Sequence, residues 1–169
     1  MLYLRDIPKY DAIRARVKRY PDIDPAAVAS FLILLRVASD ALTAVENYLG
    51  RHGMSQGRFT VMAVLNREPE SPMCPSDLAS KCGVTRATMT GLIDGLQRDS
   101  MVKRGPHQGD RRMMQVRLTA DGIKFLDDIL PEYYRRLAKL MGNLSETEKV
   151  SLEDMLARIN AGVPAMLAP

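Results

Sequence analysis

Pro75-Ser76-Asp77-Leu78-Ala79-Ser80-Lys81-Cys82-Gly83-Val84-Thr85-Arg86-Ala87-Thr88-Met89-Thr90-Gly91-Leu92-Ile93-Asp94-Gly95-Leu96 carries the pattern from which the architecture is worked out. Pro75 suits a first helical position, where its missing N–H costs nothing. The short helix it opens runs through Cys82 and stops at Gly83, where a left-handed backbone is cheapest for glycine. Thr85 is a cap for the next helix, which reaches about Asp99 and aligns Met89, Leu92, Ile93 and Leu96 at i, i+3, i+4 and i+7. Two helices joined by Cys82-Gly83-Val84-Thr85 make a candidate helix-turn-helix.

C-terminal to this pair the texture changes. Met101-Val102-Lys103-Arg104 precedes a polar loop, Gly105 to Arg112, and then Met113-Met114-Gln115-Val116-Arg117-Leu118. Apolar and polar residues alternate at Met114, Val116 and Leu118, as in a half-buried strand, so the segment reads as a hairpin with a long basic tip. Thr119 caps a helix with Ile123, Leu126, Leu130, Tyr133, Leu137 and Leu140 stepping by three and four, interrupted by Pro131 as a potential kink. Ser145 and Glu148 form a capping box for the last helix, with Leu152, Met155, Leu156 and Ile159 as its expected buried side.

N-terminally, Ser55 caps a helix carrying Phe59, Met62, Ala63 and Leu65, which ends near Arg67 before the turn-rich 68–72. Asp24-Pro25 opens a long helix running to about His52, with Val28, Phe31, Leu35, Ala38, Leu42, Val45 and Leu49 forming a heptad-like seam suited to another helix. Tyr10 to Tyr20 is expected to form a short helix closed by Pro21. The fold class is therefore mainly α: a winged helix-turn-helix with a small β-hairpin wing, flanked by long helices.

The 169 residues, 46% hydrophobic and 26% charged, fit one ordinary globular domain. Two Cys are too few for a disulfide scaffold. No run reaches the ~18 uncharged apolar residues of a membrane span, and Met1-Leu-Tyr-Leu-Arg-Asp lacks the apolar stretch of a signal peptide, so a cytoplasmic location and no membrane partner are expected. Cys74, Cys82, His52 and His107 have no zinc-site spacing, so no metal or cofactor is expected. No phosphate loop, nucleophile elbow or facing carboxylate pair suggests an enzyme.

The net charge of +4 is unevenly placed. Residues 81–118 hold eight basic side chains against Asp94, Asp99 and Asp110, an excess of five that leaves the rest slightly acidic. That localisation fits an anionic partner, although a solvated charged face produces the same excess. In a helix-turn-helix, the second helix is held by its apolar face while its other face enters the DNA major groove. At about 100° per residue, Ala87, Gly91, Asp94 and Arg98 lie opposite the apolar face, with Thr90 on the flank and Arg86 and Thr88 at the N-terminal end.

Small side chains at Ala87 and Gly91 allow close approach to base edges, and Arg86 and Thr90 can donate to guanine or phosphate. Ser76, Thr85 and Thr88 add hydroxyls beside helix N-termini that favour phosphate. Arg111 and Arg112 at the hairpin tip can reach a narrow minor groove, with Asp110 bracing one of them; plain solvation of the tip is the other reading. Asp94 would repel a phosphate, so it is expected to orient Arg98 at i+4 or a wing arginine.

The residues from Pro75 to Ala79, Gly83 to Leu96, Asp110-Arg111-Arg112, and Val116-Arg117-Leu118-Thr119-Ala120-Asp121-Gly122 resemble those of MarR-type winged-helix transcription regulators. The match is strongest over 54–125, and the flanking helices agree in number and placement over most of 24–160. The resemblance implies a homodimer built from the first long helix and the last two, consistent with apolar seams too extensive for one small domain to bury. On this reading 1–22 is an N-terminal extension, 23–53 and 120–169 form the dimerisation region, and 54–119 is the DNA-binding region.

The same resemblance implies a pseudo-palindromic double-stranded operator, repression, and release by a small aromatic or phenolic effector bound between the dimerisation and DNA-binding parts. Tyr48, His52 and Arg58 lie near the first helix junction, where such a pocket would form. Arg58 can hold an anion there or be an ordinary exposed helix residue. Oxidant-sensing relatives carry a cysteine near the start of the first long helix, and this chain has none there. Cys82 reads as core, while Cys74 sits beside Pro75 at a helix N-terminus, where a thiol pKa can fall. A winged helix used for protein contact is the rival reading.

Overall fold

A computed structural model describes residues 10–17, 20, 22–106 and 114–166. The calls on Asp110, Arg111, Arg112 and Pro21 lie outside the described residues. Seven α-helices and one hairpin occur among the described residues: α1 (Tyr10–Val17), α2 (Pro25–Gly50), α3 (Gln56–Leu65), α4 (Pro75–Cys82), α5 (Arg86–Arg98), β1 (Val102–Pro106), β2 (Met114–Leu118), α6 (Ala120–Leu140) and α7 (Glu146–Gly162), followed by a 3-10 turn, Val163–Met166. The mainly α fold with a hairpin wing is as expected from the sequence.

Local chemistry sets the helix starts. Asp24 accepts from the Ala26 N–H at 2.8 Å, Thr85 from Thr88 at 3.1 Å, and Thr119 from Gly122 at 3.0 Å. Ser145 and Glu148 complete a reciprocal capping box, whose hydrogen bonds hold the Glu148 carboxyl below the ordinary glutamate range. Gly83 ends α4 at φ +65°, and the following amide, Val84 N–H, donates back to Ala79 at 3.0 Å. The same closure ends α5, but there the positive φ belongs to Ser100, and Met101 N–H reaches Leu96 at 2.9 Å.

β1 and β2 pair antiparallel with Val102 opposite Leu118 and Arg104 opposite Val116. Met73 adds a short bridge to Val116, with N–H···O distances of 3.0 and 2.8 Å. One core joins the hairpin to Leu78 of α4, Met89, Ile93 and Leu96 of α5, Met62 of α3, Tyr48 and Leu49 of α2, and Leu126 and Ile129 of α6. Each large apolar side chain taken fully from water contributes on the order of 1.5–3 kcal/mol. The buried Tyr48 hydroxyl donates to the Ile129 carbonyl at 2.9 Å, fastening α2 to α6.

Several sequence expectations are corrected. α2 ends at Gly50 rather than near His52. On its seam only Leu49 is fully buried, whereas Phe31, at 47% exposure, and Leu42 face outward. Met155, Leu156 and Ile159, the expected buried side of α7, are exposed, and none of α7 is buried. On α6 the innermost apolar residues are Leu126 and Ile129, while Ile123 and Leu140 are exposed. Met114 shares the strand face of Val116 but is exposed. Among the described residues these side chains are left open to solvent.

The hydropathy expectation changes too. α2 is long and apolar enough to cross a membrane by length and composition, with a hydropathy of 1.8 over its most apolar window. It carries an Arg36–Asp40 ion pair at 2.7 Å, and its C-terminal end enters the core. Near the N-terminus, Ile13 of α1 is buried and α1 packs on α2.

Candidate nucleic-acid interface

α5 is gripped from behind by Met89, Ile93 and Leu96, each fully buried. That grip turns Thr85, Arg86, Ala87, Thr88, Thr90, Gly91, Asp94 and Arg98 outward, and all are exposed. Ser76 is exposed in the first turn of α4. The Thr85 hydroxyl caps α5 and shares a 2.9 Å hydrogen bond with the Thr88 hydroxyl. Thr90 donates its hydroxyl proton to the Arg86 carbonyl at 3.0 Å. The hydroxyl rotates about its C–O bond, so donating outward would exchange this intrahelical bond for one to a partner.

Gly91 is informative because an added Cβ there would meet nothing within 4 Å. A glycine inside a helix costs about 1 kcal/mol relative to alanine, and the packing of this chain gives no return for it. Gly57 and Gly95 differ, since Cβ atoms there would contact Leu92 and Arg58.

Asp94 pairs with Arg104, not with Arg98. Arg104 Nη2 donates to Asp94 Oδ1 at 2.5 Å, and its Nη1 donates to Gln97 Oε1 at 2.7 Å. Of the two sequence alternatives, the wing arginine is the partner, and it lies on strand β1 rather than at the tip. Sequence reading counted Arg104 in the basic cluster but gave it no site role. The available signal was strand alternation, which puts Arg104 on the same face as the buried Val102, towards α5.

Of the residues assigned to an effector, Tyr48 and His52 are neighbours and Arg58 lies apart from them. Tyr48 lines an open cavity of about 340 Å³ between α2 and α6, with Val45, Tyr133, Arg136 and Leu137. The Arg136 guanidinium lies 5.3 Å from the centre of the Tyr48 ring and pairs with Glu132 at 2.9 Å. His52 is exposed, its ring 4.9 Å from that of Tyr48. Arg58 points elsewhere: it forms an ion pair with Asp99 and also reaches the Gly95 carbonyl, tying α3 to the end of α5. Its Nη2 is engaged between α3 and α5, while its Nε is buried without a hydrogen-bond partner.

Tyr133 also walls a second cavity, about 320 Å³, between α3 and α6, where Phe59 meets it edge-on at 5.2 Å. Burial pushes the Tyr133 hydroxyl pKa up, with Tyr134 adding to it. Burial likewise raises the Cys82 thiol despite the opposing charge of Arg67, although Cys82, expected in the core, is only partly buried against it. Cys74 is buried at the start of α4 and makes no side-chain cap bond. No His, Cys, Asp and Glu cluster among the described residues has the makings of a metal site.

A family model described as the MarR family matches residues 52–113. The HTH-type transcriptional repressor YetL of Bacillus subtilis is 33% identical over 153 residues, spanning 90% of this chain and 92% of that protein. Among solved structures, a MarR variant from Escherichia coli complexed with operator DNA superposes with a TM-score of 0.68 at 22% identity, covering 75% of this chain and 90% of its own. Bordetella bronchiseptica BpsR, described with a mechanism for regulation of its DNA binding by 6-hydroxynicotinic acid, has a TM-score of 0.65 at 20% identity, covering 76% and 96%. With this relationship across nearly its whole length and an outward-facing helix-turn-helix, the chain belongs to the MarR family of DNA-binding transcriptional regulators.

Proposed function

We propose that the protein is a homodimeric repressor that reads a pseudo-palindromic operator with α5 and leaves it when a small aromatic or phenolic effector binds. The outward side of α5 carries this reading, and Gly91 is its strongest element. A helix position that gives up stability without serving the protein's own packing fits close approach to DNA. Arg86, Thr88, Thr90 and Ala87 flank that point as base-edge or phosphate contacts, with Ser76, Thr85 and Arg98 on the backbone and Arg111 and Arg112 in the adjoining minor groove. Such a regulator works where the DNA is, in the cytoplasm.

The second copy is supported by the apolar surface left open on α2 and α7. Helices with uncovered seams of this length gain by packing on their own symmetry mates. The α2–α6 cavity supports the effector, since aromatic walls at Tyr48 and Tyr133 with Arg136 alongside suit a planar ring bearing an acidic group. BpsR, whose DNA binding a hydroxylated aromatic acid regulates, is a relative of the same fold.

Selection of bound duplexes from a random pool, followed by titration of the winner at two salt concentrations, tests the proposal. The expected outcome is an inverted repeat with half-sites about one helical turn apart, and affinity falling steeply between about 50 and 200 mM salt. No enrichment, with salt-insensitive binding to a protein partner instead, would favour the rival reading as a protein-contact module.

A further inference from the structure

Val102, Val116 and Leu118 anchor the base of the hairpin in the core, and the bridge to Met73 holds it from the other side. Beyond that base, Arg104 is the last side chain of β1 to reach the body of the protein, because Gly105 has none and Pro106 is exposed. Its planar fork meets two acceptors, Asp94 and Gln97, which stand at i and i+3 and so are neighbours on the outer surface of α5. One rigid group thus spans the reading helix and the outward run of the wing.

Resting on the DNA-reading assignment of α5, we propose that Arg104 is a positioning residue for sequence discrimination: by forking onto Asp94 and Gln97 it fixes the angle between the wing and α5. The wing and helix must enter neighbouring grooves together, so only the sequence and shape that suit both at that angle are bound well. A lysine can supply the charge but not the two-point geometry.

The balance of effects indicates where the fork acts. Arg104 is 26% exposed and Asp94 51%, and exposed ion pairs contribute little to folding stability. One N–H of each Nη is already taken by α5, which directs the face of the fork at the helix rather than at a phosphate. Loss of the fork should therefore appear in the ratio of affinities for the right and wrong sequences. Melting temperature and the salt dependence of binding should move little.

The test compares the full-length protein with the Arg104→Ala/Asp94→Asn double variant, which leaves net charge unchanged, and with Arg104→Lys. Dissociation constants are measured for the duplex selected from the random pool and for a scrambled duplex of equal length, over a salt series. The double variant should lose about tenfold in the selected-to-scrambled ratio, the order expected for charge-assisted hydrogen bonds. Arg104→Lys should fall between it and the unmodified protein, and melting temperature and salt slope should hold in both.

Equal loss on both duplexes, with a slope lower by about one, would make Arg104 a phosphate contact and overturn the proposal. An unchanged ratio would reduce the fork to a surface ion pair and overturn it as well. If the unmodified protein itself prefers no duplex, the DNA-reading assignment fails first, and that failure is visible before any variant is compared.

Discussion

Gly91 and Asp94 stand one turn apart on the same side of α5, and each has a different relation to the fold. A Cβ added at Gly91 would meet nothing within 4 Å, so Gly91→Ala should stabilise the protein by about 0.5–1 kcal/mol through helix propensity and reduced unfolded-state entropy. The added methyl should at the same time weaken binding to the selected duplex several-fold. Thermal melting and a duplex titration on one preparation check both signs, and a stabilised variant with unchanged DNA affinity would remove Gly91 from the interface. The exposure of both residues was legible from helical spacing alone. The Arg104 partner of Asp94 was legible only as a class, a wing arginine, because choosing among arginines needs the hairpin register. Arg58 shows where residue-level reading stops: its basic character suggested an anion, and its contact with Asp99 is a pairing across 41 positions of sequence that no local pattern announces.

At the scale of elements, caps and terminators were readable because they act within a few residues of themselves. Thr119 illustrates a further layer. Its hydroxyl caps α6 and also donates to the Ser100 carbonyl at 2.6 Å, joining the start of α6 to the turn after α5. This junction brings the Met101 carbonyl oxygen to 2.1 Å from where a Cβ on Gly122 would lie. Alanine gains about 1 kcal/mol of helix propensity, but overpacking against a backbone held on both sides costs about 1–3 kcal/mol and more when nothing can yield. Gly122→Ala should therefore destabilise the fold by about 2 kcal/mol in denaturant unfolding, the opposite sign from Gly91→Ala. Two helical glycines of the same local appearance are separated only by what the tertiary structure puts beside them.

For the whole molecule, the question is what covers α2 and α7. Met155, at 50% exposure, Leu156 and Ile159 make an apolar strip on a helix with no buried residue. If a second copy covers it, Ile159→Glu should shift the protein from dimer towards monomer in sedimentation equilibrium and lower the melting temperature at a given protein concentration. It should also abolish preference for inverted repeats over single half-sites. A variant that remains dimeric would move the interface away from this face of α7. Periodicity revealed seams too extensive for one small domain to bury, but a seam specifies only that a partner is needed, not which residues of it end up covered.

By itself, the sequence determined the helices, their caps, the turn between α4 and α5, the hairpin and the outward side of α5, since propensity, capping and amphipathic spacing act over one or two turns of chain. Together with the Pro75–Gly122 motif, that was enough for the family. Only the tertiary structure decided that Arg104 is the partner of Asp94, that Arg58 belongs to α3–α5 packing, that Gly122 is sterically required and Gly91 is not, and that Tyr48 and Tyr133 wall a common cavity. Each depends on groups distant in sequence brought within a few ångströms, where hydrogen bonding and steric exclusion, both short-ranged, first come into play.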